Sequence, residues 1–361
     1  MQVARTMGIS EDFEIYDIDA IQDDGIRIQY QTLRKRFRSL AKQIESIYKL
    51  DDKHIEFHFT VDGTFNASVE MTDDKYRIQM SNAVPVLLMI LFDKLLSDNQ
   101  SLPWVSSEGT GEVVYDIPFS IKTSDLRQRQ DWIIETNKIR AFASYTLADI
   151  ATSFMFLHEL GHVLGGHLKD LEARNEVAFH VEFNMRETSQ GQHTWLHQLR
   201  EYQADSVGAY LVTHIIEELI EDVSVNERTG AVFGPAEVAA ENTIALAVMA
   251  LYGLFAYVKG QERKLKRTSS HPDPLVRAVY TRDLIYQIMQ SHHAFDIELS
   301  QDMLQARFDE MNTVLVALEL VDPTSVTDDG IEAATSLATK LDELQKTRGD
   351  QAARFAFIDW G

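Results

Sequence analysis

The segment 154–168 places two histidines and a glutamate inside an otherwise apolar stretch, and this restricts what the chain can fold into more than any other feature. It reads F-M-F-L-H-E-L-G-H-V-L-G-G-H-L, with His158, Glu159 and His162 in the spacing H-E-x-x-H. Residues four apart lie on one face of an α-helix, so both imidazoles can be directed at a single ion while Glu159 flanks it. Neutral imidazoles are common ligands of zinc, and a catalytic zinc site has three protein ligands and one open position. The spacing therefore predicts a helix with two zinc ligands and requires a third ligand elsewhere.

The surroundings of the motif indicate that this helix is buried. From about Leu147 onward the residues are apolar on nearly all faces of a helix, which is typical of a core element. An H-E-x-x-H spacing also arises by chance, with two histidines that make ordinary hydrogen bonds. Burying two histidines and a glutamate is costly, however, unless they are paired or bound to a metal. The apolar setting therefore favours the metal.

The best candidate for the third ligand lies in a long helix predicted to begin at Thr194. Within R-E-Y-Q-A-D, Glu201 and Asp205 are four residues apart and share a helical face. Glu201 can complete the ligand set, while Asp205 can orient a ligating imidazole from behind. The nearby small residues Ala204 and Gly208 permit close helix packing. The alternative is that both acids belong to a solvated helix face.

Several other histidines are candidates for the site. His167, His180, His193 and His197 are each favoured less than Glu201 as the third ligand. Metzincin peptidases have a third histidine six residues after the second, and that position here is Leu168, so this family is disfavoured. His271, in S-H-P at the entrance of a predicted helix, can stabilise an oxyanion or can equally be a cap or surface residue.

Three motifs in order resemble those of a known group of enzymes. H-E-L-G-H at 158–162, E-Y-Q-A-D at 201–205 and S-H-P at 270–272 are similar to the signatures of gluzincin metallopeptidases related to the CAAX prenyl protease and the HtpX heat-shock protease. The nearby G-H also resembles Lit-type phage-exclusion peptidases. The resemblance covers roughly 147–285. It implies zinc ligands at His158, His162 and Glu201, a base at Glu159, an outer-shell role for Asp205 and a transition-state contact from His271.

Composition narrows the partners and the compartment. The formal net charge is −22, so the averaged field repels nucleic acid and anionic lipid head groups. The absence of cysteine rules out thiolate metal ligands and disulfides and permits a cytosolic setting. The N-terminal residues contain no apolar run that could serve as the core of a signal peptide. We therefore expect a cytoplasmic protein that does not bind nucleic acid.

The hydrophobic patterns predict a mainly helical α+β protein with a zincin-like metallopeptidase core and a small antiparallel sheet. We expect an N-terminal extension and helix at 1–50, a sheet with one helix at 51–122, the H-E-x-x-H helical core at 123–290 and C-terminal helices packed on it at 291–361. Alternation at 55–61, 65–71 and 76–80, with turns at Asp62-Gly63 and at T-D-D, predicts a three-stranded antiparallel meander. A strand at 113–121 is placed at a sheet edge by Pro118, where it can pair with an extended peptide. One further strand is expected at 177–185.

One apolar segment bears on a membrane role. Residues 243–258 are apolar without interruption, but a membrane-spanning helix needs about 20 residues. The segment lies between Glu201 and His271, and a single crossing would place these two residues on opposite sides of a bilayer. If both residues serve one site, the segment is a buried core helix.

These patterns together predict a zinc-dependent endopeptidase that holds one zinc ion and cleaves a protein or peptide substrate, with a regulatory or phage-defence role as a plausible setting. The alternative is a zinc-stabilised sensor or scaffold with a peptidase-like fold and little turnover. A third interpretation is a peripheral membrane protein that uses 243–258.

Overall fold

The computed structural model describes residues 13–97, 105, 118, 120–121, 138–174, 179–181, 194–223, 230, 232–234, 236–264, 272–291, 301–352 and 356–358. The helices are α1 Asp24–Ile47, α2 Val84–Ser97, α3 Lys138–Leu164, α4 His167–Ala173, α5 Thr194–Val223, α6 Ala236–Lys264, α7 Pro274–Ser291, α8 Gln301–Ala317 and α9 Asp328–Ala352. The strands are β1 His54–Thr60, β2 Ala67–Met71, β3 Lys75–Ser81 and β4 Phe179–Val181. The predicted α+β architecture, predominantly helical with a small sheet, is confirmed.

The sheet is mixed, so the predicted antiparallel meander is wrong. Its strand order is β1-β3-β2-β4, and β1 runs parallel to β3, with Phe57 opposite Ile78. Of the two predicted turns, only T-D-D forms a hairpin. There β2 and β3 pair antiparallel, with Val69 opposite Ile78. β4 adds to the far side of β2, also antiparallel. All three strands of the meander are present, but the first pairs with the third rather than with the second.

The Asp62-Gly63 turn fails as a hairpin because its backbone pairs elsewhere. The Gly63 carbonyl accepts a hydrogen bond from the Ile121 amide at 2.8 Å, and a Cβ at Gly63 would approach the Ile121 carbonyl oxygen to 2.3 Å. Thr64 forms an isolated antiparallel bridge with Ser120. Residues 61–66 therefore form a connection that leaves space for β3 beside β1. Most of the strand predicted at 113–121 lies outside the described residues, as does most of the one predicted at 177–185.

The described residues before α1 pair with the sheet. The Tyr16 amide donates to the Phe59 carbonyl at 2.8 Å, so the chain before α1 runs alongside β1. α1 then begins at Asp24, where the Asp23 side chain caps it by accepting from the Ile26 amide. The helix packs on β1 through its apolar face.

Helix α3, which carries the H-E-x-x-H motif, lies at the centre of the fold. It contacts α1, α2, α5 and α6 together with β2 and β3, and it is buried on all sides from Ala148 to Leu164, apart from Asp149. Within α6, residues 243–258 are all buried, as expected for a core helix. Among the described residues, 239–260 is the one helical segment long and apolar enough to cross a membrane, and 94 % of its apolar window is buried inside the protein.

α3 and α5 cross very closely at Gly161. A Cβ at this position would approach both the Cα and the carbonyl oxygen of Ala204 to 2.7 Å, closer than real Cβ contacts come. Farther along the crossing, Gly208 faces the ring of Phe154. The small residues expected to permit close packing in α5 thus meet a glycine inside the H-E-x-x-H motif. This crossing determines how near α5 comes to the two histidines.

Gly161→Ala should therefore force α3 and α5 apart and lower both the melting temperature and the metal affinity. The obstruction is backbone, so shortening the neighbour with Ala204→Gly should not rescue it. Overpacking of this kind costs about 1–3 kcal/mol. Thermal unfolding followed by circular dichroism measures the first effect and zinc titration the second. Gly25→Ala in the first turn of α1, where the nearest atom is a side-chain oxygen at 3.2 Å, is the control and should change neither strongly.

Candidate metal centre

Three side chains from two helices converge on one point. His158 and His162 lie one turn apart on α3, and Glu201 reaches them from α5. Their ligand atoms lie within 4.8 Å of one another, and all three residues are buried. The two Nε2 atoms are 3.2 Å apart, and the Glu201 carboxylate oxygens lie 3.5 Å from His158 Nε2 and 3.8 Å from His162 Nε2. This group of two imidazoles and one carboxylate can hold a metal ion.

His158 is oriented by a charged cluster behind it. Its Nδ1 donates to Asp205 Oδ1 at 2.8 Å, which leaves Nε2 as the lone-pair nitrogen that faces Glu201. Asp205 also accepts two hydrogen bonds from Arg277, at 2.8 Å from Nε and 2.7 Å from Nη2, and one from the Tyr280 hydroxyl. The carboxylate is thus held by three residues and lies behind His158, a candidate ligand.

The Asp205 cluster is electrostatically balanced. Burial alone would raise the pKa of Asp205, but the Arg277 charge, aided by the hydrogen bonds from His158 and Arg277, holds the pKa well below its usual range. Burial, together with the neighbouring Asp205 charge, raises the pKa of Tyr280. Its phenol therefore stays protonated and donates. The aspartate remains an anion that can stabilise the proton on His158 Nδ1.

His162 is supported differently, by neutral groups. Its Nδ1 lies 2.8 Å from Nδ1 of His167, the first residue of α4. The other ring nitrogen of His167, Nε2, lies 2.8 Å from Oε1 of Gln203 on α5. His167, considered from sequence as a direct ligand, therefore lies behind a candidate ligand instead.

Two further residues neighbour the ligand candidates along α3 and α5. Glu159 follows His158 on α3 and is fully buried. His197 lies one turn before Glu201 on α5, with its Nδ1 3.7 Å from Glu201 Oε1, and its side chain is 16 % exposed. His197, which the sequence favours less than Glu201 as a ligand, thus lies near the site without belonging to the group of three. This residue brings a partly solvated imidazole to the edge of the buried group.

No protein-family model matches this sequence, and comparison with curated proteins and with solved structures finds no significant match. The chemistry of the site therefore has to support any functional proposal. Of the residues predicted from sequence, the structure brings together His158, His162, Glu201 and Asp205. His271, His193 and the side chain of His180 lie outside the described residues.

The sequence reasoning missed Arg277 and Tyr280. Both are buried on α7, and Arg277 also lies over the ring of Phe255, 4.1 Å from its centroid. A signal was present, because Arg277 falls within the apolar run of α7 that includes Leu275, Val276 and Val279. A charged residue inside an apolar run is rarely buried without a partner. Which acid it would meet depends on how α5 and α7 pack.

Proposed function

We propose that this protein is a zinc-dependent endopeptidase of the gluzincin type, with one zinc ion held by His158, His162 and Glu201. The observation that carries the proposal is the convergence of two imidazole Nε2 atoms and one carboxylate in a buried place, with both imidazoles on a helix that also carries the buried glutamate of the H-E-x-x-H motif. Two imidazoles and one glutamate are a ligand set of hydrolytic zinc.

The spacing of the ligand atoms supports zinc over a larger ion. Ligand atoms about 2.0–2.1 Å from a tetrahedral zinc ion stand about 3.3 Å apart. The two Nε2 atoms, 3.2 Å apart, are close to this edge length, and each lies 3.5 or 3.8 Å from a different oxygen of the Glu201 carboxylate. Calcium and magnesium prefer sites made mainly of oxygen ligands, which this site is not.

In the proposed reaction, a bound zinc ion supplies Lewis acidity, which polarises the scissile carbonyl and lowers the pKa of a water toward about 7. Glu159 accepts the proton of the attacking water and transfers it to the leaving amine. Asp205 holds the His158 ring with Nε2 directed at Glu201. His167, which contacts both His162 and Gln203, holds the His162 ring. His271, beyond the described residues, is proposed to stabilise the oxyanion.

The proposed substrate is a protein or peptide, and the proposed location is the cytoplasm. The net charge of −22 speaks against nucleic acid as a partner. The burial of 243–258 within α6 supports a core helix rather than a membrane span. The ordered motifs at 158–162, 201–205 and 270–272 support kinship with the CAAX prenyl protease and HtpX group, and with Lit-type peptidases as its soluble counterpart.

The first test is metal binding. The purified full-length chain should bind one equivalent of zinc, measured by elemental analysis and by competition with a chromophoric chelator. Glu201→Gln should reduce the affinity by more than the 10–100-fold typical of outer-shell partners, because it removes a ligand and its charge. Glu218→Gln, on the exposed side of α5, is the matched control and should bind as the wild type does. A Glu201→Gln protein that binds zinc equally well would contradict the ligand assignment.

The second test is cleavage in cells. Protein termini should be compared, by N-terminal labelling, between cells that express the wild type and cells that express Glu159→Gln. New termini that appear only with the wild type would support the peptidase and identify its substrate. Stoichiometric zinc with identical termini in both cultures, under every growth condition and infection tried, would instead favour the zinc-stabilised scaffold.

A further inference from the structure

We propose that His167, Gln203 and Gln345 form a hydrogen-bond relay that fixes the tautomer and orientation of His162, so that the C-terminal helix α9 is a positioning element of the metal centre. The inference rests on the proposed metal site. It goes beyond that site by assigning a role to two amides and to a helix far along the chain. None of the three residues is proposed to touch metal or substrate.

The relay consists of three consecutive contacts of ordinary hydrogen-bond length. His162 Nδ1 lies 2.8 Å from His167 Nδ1, His167 Nε2 lies 2.8 Å from Gln203 Oε1, and Gln203 Nε2 lies 2.9 Å from Gln345 Oε1. His162, His167 and Gln203 are buried, and Gln345 is half-buried on α9. The relay thus runs from the metal ligand to the surface of α9.

With the Gln203 amide oriented as the structure has it, a proton can be assigned to each position of this relay. The Gln203 amide nitrogen donates to Gln345, so its carbonyl oxygen faces His167 and can only accept. His167 therefore carries its proton on Nε2, and the Nδ1 of the neutral ring is an acceptor. His162 must donate from Nδ1, which leaves Nε2 as a lone pair. The lone pair points toward His158 and Glu201, where a metal ligand is needed.

The two glycines before His167 allow its ring to lie against His162. Gly166 has φ 67° in the left-handed region, which lets the chain turn between α3 and α4 and brings His167 back over His162. A Cβ at Gly165 would come within 2.5 Å of His167 Nε2, so the absence of a side chain there makes room for the ring. Both glycines therefore help to position the His167 ring over His162.

α9 contacts both residues that directly follow the ligand Glu201. Besides the Gln345 contact to Gln203, Asp342 accepts from the Tyr202 hydroxyl at 3.5 Å. Leu344 packs against Leu196 and Leu199 on α5 in a small apolar cluster. The helix is therefore held against the ligand-bearing part of α5, and the relay extends this contact across to α3.

The relay differs in kind from the support of His158. A carboxylate behind an imidazole makes it a stronger ligand and adds charge, as Asp205 does for His158. An amide-terminated relay adds no charge and chiefly holds the ring in place. Removal of the relay should therefore loosen the geometry at His162 without altering the net charge of the site.

The test measures zinc affinity and the visible spectrum of the cobalt-substituted protein in the full-length chain. Gln203→Met keeps length but removes the acceptor, and His167→Phe keeps a ring but removes both nitrogens. Each should lower zinc affinity about 10–100-fold and broaden or shift the cobalt ligand-field bands. Gln203→Glu retains an acceptor for His167 Nε2 and should restore most of the affinity. Gln345→Ala should cause a smaller decrease, while the neighbouring exposed Lys346→Ala should cause none.

A second measurement needs neither metal nor activity. In the apoprotein with ¹⁵N-labelled histidine, at mildly alkaline pH, the spectrum should identify His162 as the Nδ1–H tautomer and His167 as the Nε2–H tautomer. The opposite tautomers would overturn the relay even if Gln203→Met and His167→Phe failed to fold. Wild-type protein that binds zinc while all relay variants bind as tightly would also overturn it. Wild-type protein that binds no zinc, yet has the expected tautomers, would overturn the proposed function and leave the relay standing.

Discussion

Glu159→Gln is expected to abolish peptide-bond hydrolysis while leaving zinc stoichiometry and thermal stability close to those of the wild type. The substitution replaces a carboxylate with an amide of the same shape, so the three ligands keep their positions. The amide has no basic lone pair with which to take a proton from water. Loss of a positioned general base costs about 10²–10⁴ in rate. The turnover of the substrate found by terminal labelling, measured with purified enzyme, gives the ratio directly.

The control for this experiment is Glu172→Gln, which removes a glutamate charge at an exposed position on α4, close to the same helix. It should cleave at the wild-type rate, since Glu172 belongs to none of the site's contacts described above. A Glu159→Gln protein that cleaves at the rate of this control would remove Glu159 from the base role. A protein that has lost zinc as well would show that Glu159 acts on the ligands rather than on water.

The ligand candidates on α3 could be predicted because their geometry is local. The four-residue spacing of His158 and His162 determines that they share a face wherever the helix packs. The prediction of Glu201 needed further signals. These were its i, i+4 spacing with Asp205 and the neighbouring small residues, which allow α5 to approach α3. On α3, Gly161 is the small residue that faces Ala204, and the contact between these two residues lets α3 and α5 approach so closely.

The strand order could not be predicted because alternation carries no information about direction. The apolar side of β1 is the same whether the strand runs parallel or antiparallel to its neighbour. The deciding contact is between Gly63 and Ile121, residues far apart in sequence. The same is true of His167. The G-G-H sequence places a histidine near the site, but it does not predict that His167 contacts the Nδ1 atom of His162. Non-local packing decides both.

Arg277→Met is expected to destabilise the protein strongly, because it leaves the Asp205 carboxylate buried without its main counter-charge. Removal of one partner from a buried ion pair costs about 3–5 kcal/mol. Asp205 and Arg277 are both almost entirely buried, and their two hydrogen bonds are 2.8 and 2.7 Å long. Urea unfolding at neutral pH measures the loss. Arg36→Met is the control, since the pair that Arg36 makes with Asp149 on α3 is partly exposed and its loss should cost less.

The double variant Asp205→Asn with Arg277→Met separates the two roles of the cluster. With both charges removed, much of the lost stability should return, because neither buried charge is left uncompensated. Zinc affinity should not return with it, since a neutral amide behind His158 cannot stabilise its Nδ1 proton as the carboxylate does; we expect it to remain about 10–100-fold below wild type. If stability and zinc affinity recovered together, Asp205 would serve the fold alone, and His158 would need no anion behind it to bind metal.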